Sequence, residues 1–118
     1  MMLSEMQRGL KKLRRGRQQS DLVLFDEMSQ IVANWLDDES PPADLVSTLE
    51  HYVGNSWFST DELNSAVVLV YEQFGKTVKS LGGMSVNERL VMFGLMDRWD
   101  SGSNEDREIL RKKLLAPS

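Results

Sequence analysis

Residues 60–81, TDELNSAVVLVYEQFGKTVKSL, decide the fold of this 118-residue chain. Leu63, Val67, Val70, Phe74, Val78 and Leu81 recur at spacings of 4, 3, 4, 4 and 3, the repeat of one helical stripe. Ala66, Val68, Leu69 and Tyr71 add apolar surface on the other sides of the same turns. A helix apolar on nearly every side needs neighbours all round it, so this one is expected to be the central element of an all-α bundle. Ser59 with Glu62, or Thr60 alone, supplies its N-cap, and Gly82-Gly83 stops it.

Working outward, the chain divides into further helices. Leu3, Met6, Leu10 and Leu13 define a first helix over about 3–15, their side chains within an arc of roughly 80°. Gly9 and Gly16 each weaken it by about 1 kcal/mol relative to alanine, so it needs a surface to lie against. Ser20 is a suitable cap for a second helix to about Asp37, with Asp21 favourable at its positive end and an inward face of Leu24, Met28, Ile31 and Trp35, broadened by Phe25, Val32 and Leu36. A break is expected between these two helices.

Ser40 and Pro41 open a third helix that packs through Leu45, Val46, Leu49 and Val53 and ends at Gly54 or Asn55. A loop with Trp57 and Phe58 leads into the central helix. Ser85 and Glu88 form a capping box for a helix to about Trp99, and a last helix covers about 106–115, with Pro117 closing the chain. The architecture expected is thus a compact bundle of five to six short helices.

The charge is sharply partitioned. Residues 1–17 carry Arg8, Lys11, Lys12, Arg14, Arg15 and Arg17 against Glu5 alone, a net of +5. The other 101 residues hold eight Lys/Arg and seventeen Asp/Glu, a net of −9, and the whole chain stands at −4. This divides the chain into a basic amphipathic N-terminal arm or helix, 1–17, and a single acidic helical domain, 18–118. Such polarity bears on partners rather than on fold.

Several chemistries are disfavoured by what the residues supply. Cysteine is absent, which removes disulfides, thiolate metal sites and redox pairs, and His51 is the sole histidine, which removes sites built on two imidazoles. Gly82-Gly83 lacks the spacing and the Lys-Ser/Thr of a phosphate loop. An EF-hand frame from Asp97 puts Gly102 and Glu108 in the right places but Trp99 at a ligand position. Those residues make a better helix–turn–helix corner, capped by Ser103 or Asn104. The acid pairs at Asp37-Asp38-Glu39 and Asp61-Glu62 stand at helix ends, where negative charge serves capping. No enzyme activity, metal or cofactor is expected. The longest apolar run, Ala66 to Tyr71, is far below the roughly 18 residues of a membrane span, and with no signal-type segment a cytoplasmic, bacterial-type protein is expected.

What is left is binding. Arg8, Lys11, Lys12, Arg14, Arg15 and Arg17, with Trp57 and Phe58, are the candidate partner contacts. Trp35 and Trp99 lie on apolar stripes and are expected in the core; Trp57 with Phe58 is expected to plug the bundle, the other option being an exposed anchor. The basic segment has four readings: phosphate binding, a membrane-surface helix, a Leu/Met stripe packed on its own body or on a second copy, and a merely solvated face. Arg107 and Arg111, four apart, offer a weak recognition-helix signal with Lys112 and Lys113. The function expected is non-enzymatic, interaction- or inhibitor-type binding of another protein: the acidic body is one candidate docking surface, by electrostatic analogy for a basic partner, and the basic amphipathic helix is a candidate for partner contact or for self-association as a homodimer; the alternative is a nucleic-acid-binding regulator using the basic arm.

Overall fold

A computed structural model describes residues 1–115, and its backbone among those residues is helical with no strand. The elements are α1 (Leu3–Arg14), α2 (Gln19–Asp37), α3 (Pro42–Gly54), α4 (Asp61–Lys79), a 3-10 turn (Leu81–Gly83), α5 (Val86–Met92), α6 (Met96–Ser101) and α7 (Asn104–Leu115). Pro117 lies outside the described residues.

Helices α1–α4 form a closed square in which α1 packs on α2 and α4, and α3 packs on the same two. Short turns make each helix run antiparallel to the one before. Helices α5–α7 cover the end where α2 and α4 finish, so the molecule is elongated, 46 × 25 × 20 Å. Phe93 fills the junction, its ring centroid 5.0 Å from that of Trp35 and 6.1 Å from that of Phe74.

The expected stripes of α1, α3 and α4 lie mostly in the core. Leu63, Val67, Phe74 and Val78 of α4 are buried, as are Leu45, Leu49 and Val53 of α3. The enclosure of α4 is incomplete at its middle: Val68, Val70 and Tyr71 are half-buried and Leu69 is exposed. Leu3, Met6 and Leu10 of α1 are at most 7% exposed, so this stripe is consumed by the chain's own body. A homodimer seam built on the same stripe would have to unfold α1 from the bundle. Gly9 lets α1 approach α4 closely, since a Cβ there would stand 3.3 Å from Val70 Cγ1.

Five local expectations are corrected. The helix foreseen over 85–99 is split into α5 and α6 at Phe93-Gly94-Leu95, where Gly94 has φ +68°. The Leu95 N–H donates to the Leu90 carbonyl at 2.8 Å and the Gly94 N–H to Val91 at 3.2 Å, which is a Schellman stop. This split raises the α-helix count to seven. The last helix starts at Asn104, earlier than expected, because Ser103 caps it: Asp106 N–H donates to Ser103 Oγ at 3.1 Å and Ser103 N–H to the Asp106 carboxylate at 2.9 Å. Helix α2 begins at Gln19 rather than after Ser20, following a turn with Gly16 at φ +70°. Pro41 and Pro42, not Ser40 and Pro41, occupy the cap and first position of α3. The buried face of α2 is Asp21, Phe25, Met28, Val32 and Trp35, with Leu24, Ile31 and Leu36 only half-buried.

Asp21 lies on this buried face with Phe25, Met28, Val32 and Trp35. Its side chain is 1% exposed and accepts the Ser59 N–H at 2.8 Å and the Ser59 hydroxyl, tying the start of α2 to the loop before α4. Ser59 is thereby taken, and Thr60 caps α4 by accepting from the Leu63 N–H at 3.1 Å.

Candidate binding surface on helix α1

Helix α1 turns its apolar side to α2 and α4, which leaves its polar side to water. At about 100° per residue, Arg8, Lys11, Lys12 and Arg15 fall within an arc of roughly 100° opposite the buried stripe. All four are exposed and none forms an ion pair within 4.0 Å among the described residues. Arg14 points sideways, its Nε 3.0 Å from the Asp26 carboxylate of α2, and Arg17 donates to the Leu13 carbonyl at 2.8 Å. Glu5 sits a turn earlier, holding the Met2 N–H at 2.8 Å. The outward ridge is therefore cationic over its whole second half.

That ridge is not explained by the stability of α1. Arg8–Lys12 and Lys11–Arg15 are like charges four apart, each unfavourable by about 0.2–0.5 kcal/mol. The helix dipole favours Lys11, Lys12 and Arg14 in the last turn by a few tenths of a kcal/mol each, but it does not reach Arg8.

Between α1 and α2 lies a groove of about 420 Å³. Leu10, Phe25, Met28 and Val32 form its floor, and Lys11, Arg14, Arg15, Asp26 and Ser29 stand along its edges. Three cations thus face one carboxylate across an apolar base.

Trp57 and Phe58 separate. Phe58 is buried against Phe25, ring centroids 5.0 Å apart, and does plug the bundle. Trp57 does not: it is 87% exposed. The Phe58 N–H donates to Asn64 Oδ1 at 3.1 Å and the Ser59 N–H to Asp21 at 2.8 Å, so the backbone on both sides of Phe58 is fixed with its ring inward, and Trp57 before it stays outside. The same Asp21–Ser59 contact places the Trp57 loop at the end of the bundle that carries the Arg15–Gln18 turn. Of the other tryptophans, Trp35 is buried, donating its indole N–H to the Pro41 carbonyl at 2.9 Å, and Trp99 is half-buried beneath Arg107 and Arg111, whose guanidinium carbons stand 5.7 and 5.8 Å from its ring centroid.

Several cations of the C-terminal half have internal partners, whereas Lys76, Lys79 and Lys112 are exposed and form no ion pair within 4.0 Å among the described residues. Lys113 is 2% exposed, and its ammonium reaches the carbonyls of Trp35, Asp38 (2.9 Å) and Ser40 (3.0 Å) and the Asp38 carboxylate (3.0 Å), lying over the Trp35 ring as well. Burial pushes the Lys113 ammonium below its ordinary pKa, which Asp38 only partly offsets. Burial raises the Asp38 carboxyl, but hydrogen bonds from Ser40 and Lys113 outweigh it and hold the group below the usual value. Arg89, also buried, grips the carbonyls of Leu114, Leu81 (2.6 Å) and Met84 (3.2 Å). Arg98 joins Leu36 and Asp37, and Arg107 donates to the Trp99 carbonyl at 2.9 Å. The weak recognition-helix signal in α7 therefore comes from residues largely spent on the fold: Lys113 is buried, and Arg107 and Arg111 lie on Trp99. Lys113 and Arg89 had no sequence signature; each stands beside a buried leucine, Leu114 and Leu90.

The acidic clusters serve helix ends and ion pairs. Asp37 binds Arg98 at 3.3 Å, Asp38 binds Lys113, and Asp61 and Glu62 lie exposed in the first turn of α4. Among the described residues, no three Asp, Glu or His side chains stand close enough to share a metal ion, and no helix is long and apolar enough to cross a membrane. His51 is exposed in the last turn of α3. No protein-family model, curated protein or solved structure matches this chain.

Proposed function

We propose that the chain is a non-enzymatic protein-binding protein that meets an acidic partner with the outer side of α1, assisted by Trp57 at the adjoining end of the bundle. One contrast supports this reading. Arg89, Arg98, Arg107 and Lys113 are each engaged with backbone carbonyls or carboxylates of the fold, whereas Arg8, Lys11, Lys12 and Arg15 repel one another on a helix that has no use for them. Surface cations of this kind steer association and fix register with an opposite surface. Exposed tryptophan and arginine are the side chains that most often dominate interface energy.

The test is chemical cross-linking in native extract, with wild type beside Arg8→Glu/Lys12→Glu and Trp57→Ala. Wild type should retain a defined protein at low salt and lose it at about 1 M salt, where the Debye length falls to ~3 Å. The double variant should fail at both. Equal recovery by wild type and the double variant would show that α1 is not the contact.

Nucleic-acid binding is the second reading, favoured by the acid-free run from Arg8 to Arg17 and by an indole free to stack on a base. The net −9 carried by residues 18–118 opposes it. A gel shift with duplex and single-stranded oligonucleotides decides: a salt-dependent shift abolished by Arg8→Glu/Lys12→Glu would establish this reading over the first.

A further inference from the structure

We infer that the acidic partner of α1 is a second copy of this chain, whose α4 lies across the ridge while its own α1 lies across the first copy's α4. This rests on the reading that the outer side of α1 is the contact surface, and it names what covers that side. Helices α1 and α4 lie side by side and antiparallel. Gly9 stands against Val70, and the Met1 ammonium donates to Thr77 Oγ1 at 2.7 Å. These two contacts fix the level of each residue of one helix against the other. At 1.5 Å per residue, Arg15 falls within about 3 Å of the level of Glu62, Arg8 within about 3 Å of Glu72, and Glu5 about 4 Å from Lys76.

The side of α4 beside the ridge is open. At about 100° per residue, Glu62, Leu69, Glu72 and Lys76 fall within an arc of roughly 80° on the side away from the buried Leu63-Val67-Phe74-Val78 stripe. Leu69 is 58% exposed at their centre. Glu62, Glu72 and Lys76 are exposed, and like Arg8, Lys12 and Arg15 they form no ion pair within 4.0 Å among the described residues. A two-fold axis parallel to the helices, along the seam where Gly9 meets Val70, lays the second copy's α1 over this α4 with every level unchanged. Arg15 then faces Glu62, Arg8 faces Glu72 and Glu5 faces Lys76 across the interface, each pair occurring twice. The aliphatic stems of Arg8 and Lys12 cover Leu69. The order of signs selects a second copy: a uniformly acidic partner would meet Glu5 with like charge, and a nucleic acid would meet Glu62 and Glu72 with its own sign.

Two helix widths over the length of α1 make a small interface, so the association expected is weak. Sedimentation equilibrium of the full chain from about 1 μM to 1 mM at low salt should show a monomer–dimer equilibrium with a micromolar Kd. Salt at about 1 M should weaken it at least about tenfold. Arg8→Glu/Arg15→Glu and Glu62→Arg/Glu72→Arg should each stay monomeric, since each sets like charges face to face. Mixed in equal amounts, the two variants should form a heterodimer within about tenfold of the wild-type affinity, because a reversed ridge then meets a reversed α4 and a native ridge meets a native one. Leu69→Ser, at an exposed position, should weaken the dimer about tenfold.

A wild type that is monomeric throughout that range, no heterodimer from the mixed variants, or a dimer indifferent to both charge reversals and to Leu69→Ser would each overturn the second copy as the partner. If Arg8→Glu/Lys12→Glu still abolished capture of a different protein, the wider reading of α1 would stand without it. Indifference to that double variant as well would remove both.

Discussion

Lys113 shows how a single side chain can fasten two parts of this molecule. Its ammonium caps the last carbonyls of α2 from α7, where the helix dipole already favours positive charge. Lys113→Met keeps the apolar stem but strands those carbonyls, and should cost about 2 kcal/mol in urea unfolding. Asp38 has its pKa lowered in the fold, so its contribution is present above the ordinary value of 3.8 and lost as pH falls through the lowered one. Asp38→Asn should flatten that acid limb. At the other end, Asp21→Ala removes both acceptors from the half-buried Ser59 contacts and should cost about 1 kcal/mol, while Asp21→Asn, which can still accept the Ser59 N–H, should lose less. Tyr52 titrates oppositely to Asp38. Burial, and next its hydrogen bond to Glu27, push the phenol up to about 12 from 10.0, so its stabilisation is complete below pH 10 and lost as pH rises toward 12. Comparing unfolding across that window in wild type and Tyr52→Phe should show the slope diminished in the variant.

Among elements, α1 lies close against α4 at Gly9. Gly9→Ala should gain about 1 kcal/mol of helix propensity. The new methyl then meets Val70 at 3.3 Å and gives most of that back, leaving stability within about 1 kcal/mol of wild type by thermal or urea unfolding. Gly9→Val adds two methyls beyond that contact and should cost about 1–3 kcal/mol. Helices α3 and α4 were legible because Leu45-Leu49-Val53 and Leu63-Val67-Phe74-Val78 mark the face each one buries, although Leu69 of α4 stays exposed. Helix α2 was legible as a helix but not in its rotation, because Leu24-Met28-Ile31-Trp35 and Phe25-Met28-Val32-Trp35 are both helical stripes. The rotation adopted buries Asp21 as well, where it meets a serine 38 residues away that no local spacing announces. The α5–α6 break lay in plain view as Gly94 followed by Leu95, but an interior glycine reads as a stop only once its φ of +68° is known.

Across the molecule, the fold engages Arg89, Arg98, Arg107 and Lys113 and leaves Arg8, Lys11, Lys12 and Arg15 of the α1 ridge in water, as it does Lys76, Lys79 and Lys112 elsewhere. Their clustering in residues 8–17 was readable from composition, as was the Trp57-Phe58 pair. Which cations the fold would absorb was not, since that depends on where helix ends expose carbonyls after α5–α7 dock on the bundle. Nor was the fate of each aromatic, because Phe58 and Trp57 are adjacent and only the Asp21–Ser59 and Phe58–Asn64 contacts set which one faces inward. The ridge of α1 contributes nothing the fold needs. The most direct measurement is the urea-unfolding free energy of the chain with Arg8, Lys11, Lys12 and Arg15 all replaced by glutamine. Lost dipole contacts and relieved repulsion are each about 1 kcal/mol, so stability should stay within about 1 kcal/mol of wild type. A loss of several kcal/mol would mean that these four charges hold the bundle together, contradicting a surface kept for a partner.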